Sequence, residues 1–460
     1  MSVFARLRPS LGELRIMTRL AAPIVLVNIG MQSMGLVDTI MLGRVSAAAL
    51  AAGALGHFYF YISTIIGIGI LMSLDPVISQ AVGARDHLGV ARGVQRGAIL
   101  SVGIALVVAV LYIPSEAVFR FLRQPEEVTE LAARYVWWSI PGLLPFFLFN
   151  MMRQTLQAMR HLRYVVLAVL SANFVNGFLN WVLIYGHLGF EPGGVAGAAQ
   201  SSSISRWYMM LALGAGAWKL LRPALRPWRA ESFRRAPLWR MLRLGFPVGL
   251  QFLAEGGAFG FVTVMAGWMG TVTLAGHEVA LNLSAMTFMV PLGVSGAAAV
   301  MVGHAIGAGD TEASRRDAVT AIVCGVGFMA LMAVLFAAFS NEFANAYTTD
   351  AATRAIASTL IPIAAVFQVF DGAQVISSAV LRGAGDTRVP MILHTLSFWA
   401  VGIPFGALLA FGFDYGAQGL WWGLTAGLAA AAVLQLARVK HRFGAELTRV
   451  VIDQAGEAAR

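Results

Sequence analysis

Four acidic residues lie inside long apolar stretches of the sequence, where an ionisable side chain is costly. They are Asp38, Asp75, Glu255 and Asp371. An acid at the centre of a lipid bilayer costs about 2.5–3.5 kcal/mol on insertion scales, so each one is a candidate functional residue. A carboxylate in such a place can bind a proton, a metal cation or an organic cation. Asp75 has no other charged residue near it in the sequence, and its role is the least defined of the four.

Asp38 is expected to belong to a cluster of polar residues in the outer half of the bilayer. It ends a polar stripe on one helix face, formed with Asn28, Gln32 and Gly35. Asn176 and Asn180 share a face of a later helix, and Ser202 begins the second turn of the next one. At a rise of about 1.5 Å per residue, the three reach the depth of Asp38. Carboxylate, amide and hydroxyl oxygens suit a sodium ion or proton exchange. The alternative is hydrogen bonding that only holds helices together.

Glu255 and Asp371 are expected near the bilayer midplane. Glu255 lies twelve residues after Arg243, and Asp371 lies eleven residues before Arg382, which places them about 18 Å and about 16 Å from the inner boundary. They fall on the seventh and tenth apolar segments and could share one ion. Two close carboxylates repel each other in a medium of low dielectric, and a sodium ion or a shared proton relieves that repulsion. Two unrelated acids remain the alternative.

The elements that position these acids are membrane-spanning helices. Of the 460 residues, 58% are hydrophobic and 12% are charged, against about 25% charged in soluble domains. The charges separate twelve apolar segments, each long enough to cross about 30 Å of hydrocarbon. Most Lys and Arg fall on one side when alternate loops face opposite sides, which predicts that both termini are cytoplasmic. The net charge of +10 therefore reflects topology, and we expect no nucleic acid as a partner. The single Cys324 excludes a disulfide framework or a cysteine-based metal site.

The chain also contains an internal repeat. When it is shifted so that Met41 lies on Met265, Gly69 lies on Gly293 and Asp86 on Asp310, without a gap over about seventy residues. The sequence thus predicts an all-α polytopic membrane protein of twelve transmembrane helices, in two six-helix bundles related by a parallel repeat. Bundles of this kind suit alternating access. The predicted boundaries are an N-lobe at 1–218, a cytoplasmic basic linker at 219–240, a C-lobe at 241–438 and a cytoplasmic tail at 439–460.

Several short motifs resemble those of the multidrug and toxic compound extrusion (MATE) family, closest to its NorM-type branch. They are Pro23 with Val37-Asp38-Thr39, Gln80 to Ala84, Pro247 through Gln251 to Glu255, and Leu381-Arg382-Gly383. The resemblance covers nearly the whole chain. It implies a V-shaped pair of bundles and a secondary antiporter, not an enzyme. It also implies export of small cationic organic compounds driven by sodium or protons, without a cofactor, from a monomer in the bacterial inner membrane.

The resemblance also implies roles for individual residues. Asp38, Asn176, Asn180, Ala198 and Ser202 match the N-lobe cation-coupling site of the family, and Glu255 and Asp371 match its C-lobe acids, a possible sodium site. Weaker matches suggest cargo contacts at Gln32, Gln251, Asp350 and Gln368. The family has Asp in some members where this chain has Asn180, so the ion preference of the N-lobe stays open.

The polar residues of the spans also bear on two functions other than drug export. An exporter of lipid-linked or polysaccharide precursors would need a cationic cavity for phosphate, whereas the spans are predicted to hold almost no Lys or Arg, with Arg206 near a helix end. An intramembrane enzyme would need a nucleophile with its base, or a metal cluster, at one depth, and the sequence indicates neither. Four of the eight His residues, His57, His277, His304 and His394, lack metal-ligand spacing and are expected to be packing or boundary residues.

Overall fold

The computed structural model describes residues 9–453, which form helices and connecting turns without a β-strand. The first ten α-helices are α1 (Leu11–Gly43), α2 (Ala47–Leu71), α3 (Leu74–Gly83), α4 (His87–Tyr112), α5 (Ser115–Phe121), α6 (Glu126–Ser139), α7 (Leu143–Ala158), α8 (Arg163–Tyr185), α9 (Gly194–Gly216) and α10 (Trp218–Leu225). The remaining eight are α11 (Arg235–Trp268), α12 (Thr271–Gly307), α13 (Thr311–Ala338), α14 (Ser340–Tyr347), α15 (Ala351–Gly383), α16 (Arg388–Leu396), α17 (Ile403–Ala407) and α18 (Gly416–Gly444). Short 3₁₀ turns occupy Ile140–Gly142 and Ala230–Phe233, and π-helical turns occupy Ser397–Gly402 and Leu408–Gly412.

Twelve long helical segments correspond to the twelve predicted spans. Within residues 9–453, ten of them are long and apolar enough to cross a membrane. The other two are the α6–α7 segment, which a 3₁₀ turn divides into two short helices, and α9. α9 carries a run of serines and Arg206 in its middle, which lowers its hydropathy. Both exceptions adjoin the site described below.

The helices form two compact units. In its described part, the N-terminal unit comprises Leu26–Val82, Asp86–Gly249 and residues 451–453; the C-terminal unit comprises the chain up to Val25, Gly83–Arg85 and Leu250–Val450. The predicted lobe and linker boundaries, which follow the chain order, stay a prediction.

The start of α1 and the start of α11 pack in matching ways. In the C-terminal unit, the backbone of Ala21 and Val25 on α1 lies against Gly293 of α12, so that a Cβ atom on Gly293 would come within 3.0 Å of the Val25 nitrogen. In the N-terminal unit, the backbone of Gly249 on α11 lies against Gly69 of α2, and a Cβ atom there would come within 2.1 Å of the Gly249 nitrogen. Gly69 and Gly293 are partners in the sequence repeat. Small residues permit this close backbone approach.

Helix caps follow the same repeat. The carboxylate of Asp86 accepts a hydrogen bond from the backbone N–H of Gly89 at 2.7 Å, at the start of α4. The carboxylate of Asp310 accepts one from Ala313 at 2.8 Å, at the start of α13. An Asp at this position satisfies one of the N–H groups that a helix leaves unpaired at its start. The predicted repeat is therefore reproduced in local structure.

The end of the described chain is anchored in the N-terminal unit. Asp453 forms ion pairs with Arg96 at 2.7 Å and with Arg92 at 3.1 Å, both on α4. Burial alone raises the pKa of Asp453, but the hydrogen bonds and charges of Arg96 and Arg92 outweigh burial and lower the pKa below its ordinary value. Arg96 is nearly inaccessible, with an exposed fraction of 1%, so this pair is better protected from solvent than a surface salt bridge.

Candidate functional site

Asp38 is the centre of a hydrogen-bonded cluster that joins three helices of the N-terminal unit. Its Oδ1 accepts a hydrogen bond from Nδ2 of Asn180 on α8 at 2.5 Å, and its Oδ2 accepts one from Oγ of Ser202 on α9 at 2.6 Å. The Asp38 side chain is 7% exposed, and Asn180 is fully buried. Each carboxylate oxygen thus has a neutral donor, an arrangement that stabilises the ionised form. The predicted convergence of Asp38, Asn180 and Ser202 is correct.

Asn176 forms a second layer behind this cluster. Its Oδ1 accepts from Asn180 at 3.4 Å, and its Nδ2 donates to Oγ of Ser201 at 3.4 Å. Ala198 is buried one turn before Ser202 on α9, where its methyl group contributes packing and no polar contact. Asn173, one turn before Asn176, instead donates to the carbonyl of Gly30 at 2.9 Å and ties α8 to α1. One face of α8 therefore carries both Asn180, which belongs to the Asp38 cluster, and Asn173, which holds two helices together.

The 3₁₀ turn between α6 and α7 shapes the wall beside this cluster. Pro141 lacks a backbone N–H, so the helix cannot continue through it unbroken. Side chains of α9 satisfy the free carbonyl groups: Oγ of Ser203 donates to Trp138 at 2.7 Å, and Nε1 of Trp207 donates to Pro141 at 2.9 Å. At Gly142, a Cβ atom would come within 2.9 Å of Oγ of Ser203 and 3.1 Å of Nη1 of Arg206. Glycine here leaves room for the guanidinium group of Arg206.

Arg206 is a buried cation beside Asp38, and the expectation that it lies near a helix end is wrong. It is about 18 Å from the start of α9 at Gly194 and about 15 Å from its end at Gly216. Its exposed fraction is 9%. The guanidinium carbon lies 3.8 Å from the ring centroid of Phe60 and 5.6 Å from that of Phe146. These rings come from α2 and α7 and offset part of the cost of burying the charge, because cation–π attraction reaches about 2 kcal/mol when it is desolvated.

Asp38 and Arg206 line one cavity of about 120 Å³. Its other lining residues are Met31, Met34, Gly35, His57, Phe60, Tyr135, Phe146, Ser202 and Met209. The wall is therefore made of thioether groups and aromatic rings with one carboxylate, one guanidinium and one imidazole group. Gln32, a weak cargo candidate on the polar stripe, is exposed and is not part of this lining.

In the C-terminal unit, the charge of Asp371 interacts with that of Glu255, and Asp371 is 6% exposed. That the two acids share one ion stays a prediction. Oε2 of Glu255 also lies 3.6 Å from Nε2 of His394, a fully buried residue on α16. Nδ1 of His394 is 2.8 Å from Nε2 of Gln374, one turn after Asp371 on α15. The site thus contains two acids, an imidazole and an amide. The described residues contain no cluster of three or more His, Cys, Asp or Glu arranged to hold a metal ion.

The remaining weak cargo candidates occupy different surroundings. Nε2 of Gln251, one turn before Glu255, donates to Oγ of Ser378, two turns after Asp371, at 3.0 Å, and both residues are buried. Oε1 of Gln368 accepts from Thr287 at 3.0 Å, and Gln368 is fully buried. Asp350 is exposed and caps α15, where the backbone N–H and the side chain of Thr353 lower its pKa by hydrogen bonding. Asp350 therefore has a structural task that the sequence analysis did not include.

Asp75 has a basic neighbour that its sequence context does not reveal. It is fully buried near the start of α3, and its charge interacts with that of Arg153 on α7. Arg153 lies inside α7, so the charge that interacts with Asp75 belongs to the same N-terminal unit.

The sequence does not reveal two residues of these sites, namely Arg206 as a cavity residue and His394 as a neighbour of Glu255. It predicts packing or boundary roles for His394 and His277 alike. His277 does have that role, because it hydrogen-bonds Thr263 at 3.0 Å and accepts from Trp421 at 3.1 Å. For Arg206, the distance in residues from the start of α9 at Gly194 indicates a position in the middle of the helix. No spacing signal links His394 to Glu255, since they lie on helices far apart in the chain.

Comparison with known proteins agrees with this architecture. The MatE family model matches residues 23–182 and 247–408, one region in each half of the chain. Among curated relatives, the chain is 34% identical over 441 residues to the probable multidrug resistance protein NorM of Mesorhizobium japonicum, covering 94% of each protein. It is 34% identical over 440 residues to the multidrug resistance protein NorM of Burkholderia vietnamiensis, covering 93% of this chain and 94% of that protein.

Solved structures show the same fold. The crystal structure of the eukaryotic MATE transporter AtDTX14 aligns with a TM-score of 0.84 at 21% identity, covering 93% of this chain and 96% of that one. An outward-facing multidrug resistance MATE family transporter aligns with a TM-score of 0.83 at 21% identity, covering 94% and 96%. With both repeats matched by the family model and NorM proteins related over almost the entire length, this chain belongs to the MATE family, within its NorM-type branch.

Proposed function

We propose that this protein is a secondary active multidrug efflux transporter, which exports cationic amphipathic compounds by antiport with sodium or protons. Membership of the family and the NorM names of its relatives support multidrug efflux. The observation that carries the coupling part is the pair of interacting acids in the C-terminal unit, Asp371, which is buried, and Glu255, whose side chain is 18% exposed. We further propose that the protein works as a monomer in the inner membrane of a bacterium, with both termini in the cytoplasm.

The acid pair offers a physical route to exchange. Two carboxylates close together in a medium of low dielectric repel each other, and any bound cation relieves the repulsion. A sodium ion, a proton and a cationic drug therefore compete for one negative charge. Exchange also requires that the ion bind more tightly to one conformation than to the other, because a ligand shifts an equilibrium only by its differential affinity. Sodium is the favoured ion on the NorM-type resemblance.

Asp38 provides the coupling residue of the N-terminal unit. Its two hydrogen bonds come from α8 and α9, so a change in its charge alters contacts that join α1 to both helices. Binding of a proton or cation at Asp38 would weaken these charge-assisted bonds, which are stronger than neutral ones. Coupling in this unit thus acts on the packing of α1.

Export of lipid-linked or polysaccharide precursors is the less well supported alternative. A diphosphate group needs several positive charges without an acid beside them. The cavity of the N-terminal unit contains one base, Arg206, together with the acid Asp38, so its formal charge is balanced. This composition disfavours a multiply charged anion, because the neighbouring carboxylate repels it.

The test uses purified protein in liposomes, with sodium and proton gradients imposed separately and ethidium as cargo. Export under at least one gradient is expected, and drug-induced sodium release is expected from the wild type. Glu255→Gln and Asp371→Asn should both lower that release by at least about fivefold, which corresponds to about 1 kcal/mol of coupling energy. Glu342→Gln, an exposed acid on α14, is the control and should behave as the wild type. Equal release from all variants would exclude the acid pair as an ion site.

A further inference from the structure

His394, on α16, is a buried imidazole for which the proposed ion exchange provides no role. Its side chain is 0% exposed, and its Nε2 lies 3.6 Å from Oε2 of Glu255. That distance is roughly 0.6 Å longer than an ordinary N–H···O hydrogen bond, and Nε2 has no hydrogen-bond partner within residues 9–453. A buried polar atom in this state is rare in folded proteins and calls for an explanation. The unpaired atom lies beside one of the two acids of the proposed ion site.

The neighbours of the ring determine which of its nitrogens carries the hydrogen. An ionised carboxylate such as that of Glu255 can only accept a hydrogen bond, so the nitrogen that faces it, Nε2, should be the donor. Nδ1 is then the acceptor of the neutral ring. Nδ1 lies 2.8 Å from Nε2 of Gln374, and an amide NH₂ group can only donate. Both sides of the ring therefore favour the same tautomer, which presents one N–H group to Glu255.

Packing holds His394 in place beside the helix that carries the acid. The centroid of its ring lies 4.9 Å from that of Phe398, on the π-helical turn that follows α16. Nε1 of Trp399, on the same turn, donates to the backbone carbonyl of Ala254 at 3.0 Å. Ala254 directly precedes Glu255 on α11, so this bond fixes the turn against α11. Turns of the π-helical type are frequent at functional sites.

The ring acts on a cation through Glu255, because a nitrogen that carries a hydrogen cannot itself be a ligand. The Glu255 side chain has room to approach the donor, since it is 18% exposed while His394 is enclosed. A carboxylate oxygen has two lone pairs, so a hydrogen bond from Nε2 leaves the carboxylate able to bind a cation. A donor behind a metal-binding carboxylate fixes its orientation, and loss of such a donor weakens metal binding by about 10–100-fold.

We infer that His394 is a positioning residue for the coupling ion, which orients the carboxylate of Glu255 for a sodium ion shared with Asp371. Gln374 supports this role by fixing the tautomer of the ring. The inference rests on the proposed function and adds a residue that determines how tightly its ion site binds sodium.

The test compares two substitutions that place an amide at different distances from Glu255. His394→Gln puts an NH₂ group close to the position of Nε2, whereas the shorter side chain of His394→Asn reaches only the position of Nδ1. Binding of radioactive sodium to purified full-length protein in nanodiscs gives the Kd for sodium. We expect the Kd to rise about tenfold in His394→Asn and to stay within about threefold of the wild type in His394→Gln. A merely structural role of the ring would instead raise the Kd equally in both variants, which would overturn the inference.

Gln374→Met provides a second variant that keeps the ring. It removes the donor to Nδ1 together with Oε1, which is buried without a hydrogen-bond partner among the described residues, so the protein should still fold. Because the tautomer of His394 is then no longer fixed, the Kd for sodium should rise by about threefold. An unchanged Kd in this variant would overturn the inference.

His441→Gln is the matched control, since it replaces an exposed histidine on α18 of the same unit, and its Kd should equal that of the wild type. A Kd in His394→Asn within about twofold of the wild type would contradict the assigned role, and so would wild-type protein without saturable sodium binding. The proposed function fails on a different result, namely that neither a sodium nor a proton gradient drives ethidium export.

Discussion

Replacing Asp38 separates its contribution to stability from its contribution to transport. Asp38→Asn removes a buried charge, which saves about 2.5–3.5 kcal/mol, and it weakens two hydrogen bonds to a charged acceptor, each worth about 1.5–3 kcal/mol. The NH₂ group of the new amide would face Nδ2 of Asn180, which is also a hydrogen-bond donor. Asn180 can turn its own amide in response, because its Oδ1 is buried without a hydrogen-bond partner among the described residues. These two contributions nearly cancel, and Arg206 loses the attraction of a neighbouring negative charge, so Asp38→Asn should fold with a stability equal to that of the wild type or slightly below it.

Asp38→Ala saves the same charge but leaves the donors of Asn180 and Ser202 without their acceptor. Ser202 can bond the backbone carbonyl of Ala198 one turn earlier, whereas Nδ2 of Asn180 loses its 2.5 Å bond to Asp38. A buried donor without a partner costs about 1–3 kcal/mol. Asp38→Ala should therefore be less stable than Asp38→Asn by about that amount.

Both variants should lose coupled export, since neither keeps the carboxylate. The assays are equilibrium unfolding in mixed micelles and ethidium efflux from proteoliposomes. Wild-type efflux by a well-folded Asp38→Asn protein would remove Asp38 from the mechanism. Equal stability of the Asn and Ala variants would refute the claim that the unpaired donor of Asn180 destabilises Asp38→Ala.

Three further predictions follow from the fold. Gly142→Ala should destabilise the protein by about 1–3 kcal/mol because its Cβ would come within 2.9 Å of Ser203, whereas Gly103→Ala, with no atom within 4 Å, should stabilise α4 by about 0.5–1 kcal/mol; unfolding midpoints decide. Asp453→Asn should speed tryptic cleavage of the tail at neutral pH, while Glu446→Gln, an exposed acid of the same tail, should leave the rate unchanged; similar rates for both would contradict the anchoring. Because the pKa of Asp453 is lowered on folding, its contribution to stability is present above the ordinary value of 3.8 and is lost as the pH falls through the lower folded value. Hydrogen exchange in the tail of the wild type should therefore rise only in strong acid. A reporter fused at residue 230 should be cytoplasmic, and a periplasmic signal would contradict the predicted topology.

Helical periodicity and depth were readable from the sequence because both depend on residues close together in the chain. The rise per residue placed Asp38, Asn180 and Ser202 at one level, and the structure joins them directly. The same arithmetic predicted that Glu255 and Asp371 lie at one level. The two charges interact, and their common depth stays a prediction.

The misplaced Arg206 shows what such reasoning lacks. A hydropathy scale compares the arginine in water with the arginine in lipid, and it therefore predicts a position near a helix end. It does not include burial of the charge against other side chains of the protein. In the structure, rings from α2 and α7 surround the guanidinium group, and neither helix is adjacent to α9 in the chain. The contact between His394 and Glu255 likewise depends on how α16 packs against α11. Interhelical packing of this kind has no signature in the composition of a single helix.

The prolines of α1 and α11 have a mechanical consequence. Each helix begins in one unit and ends in the other, and the change comes directly after a proline: between Val25 and Leu26 following Pro23, and between Gly249 and Leu250 following Pro247. A proline removes one backbone hydrogen bond and makes bending easier at that level. Each helix therefore bends most easily close to the level at which the chain passes from one unit to the other. Pro23 and Pro247 occupy equivalent positions in the repeat.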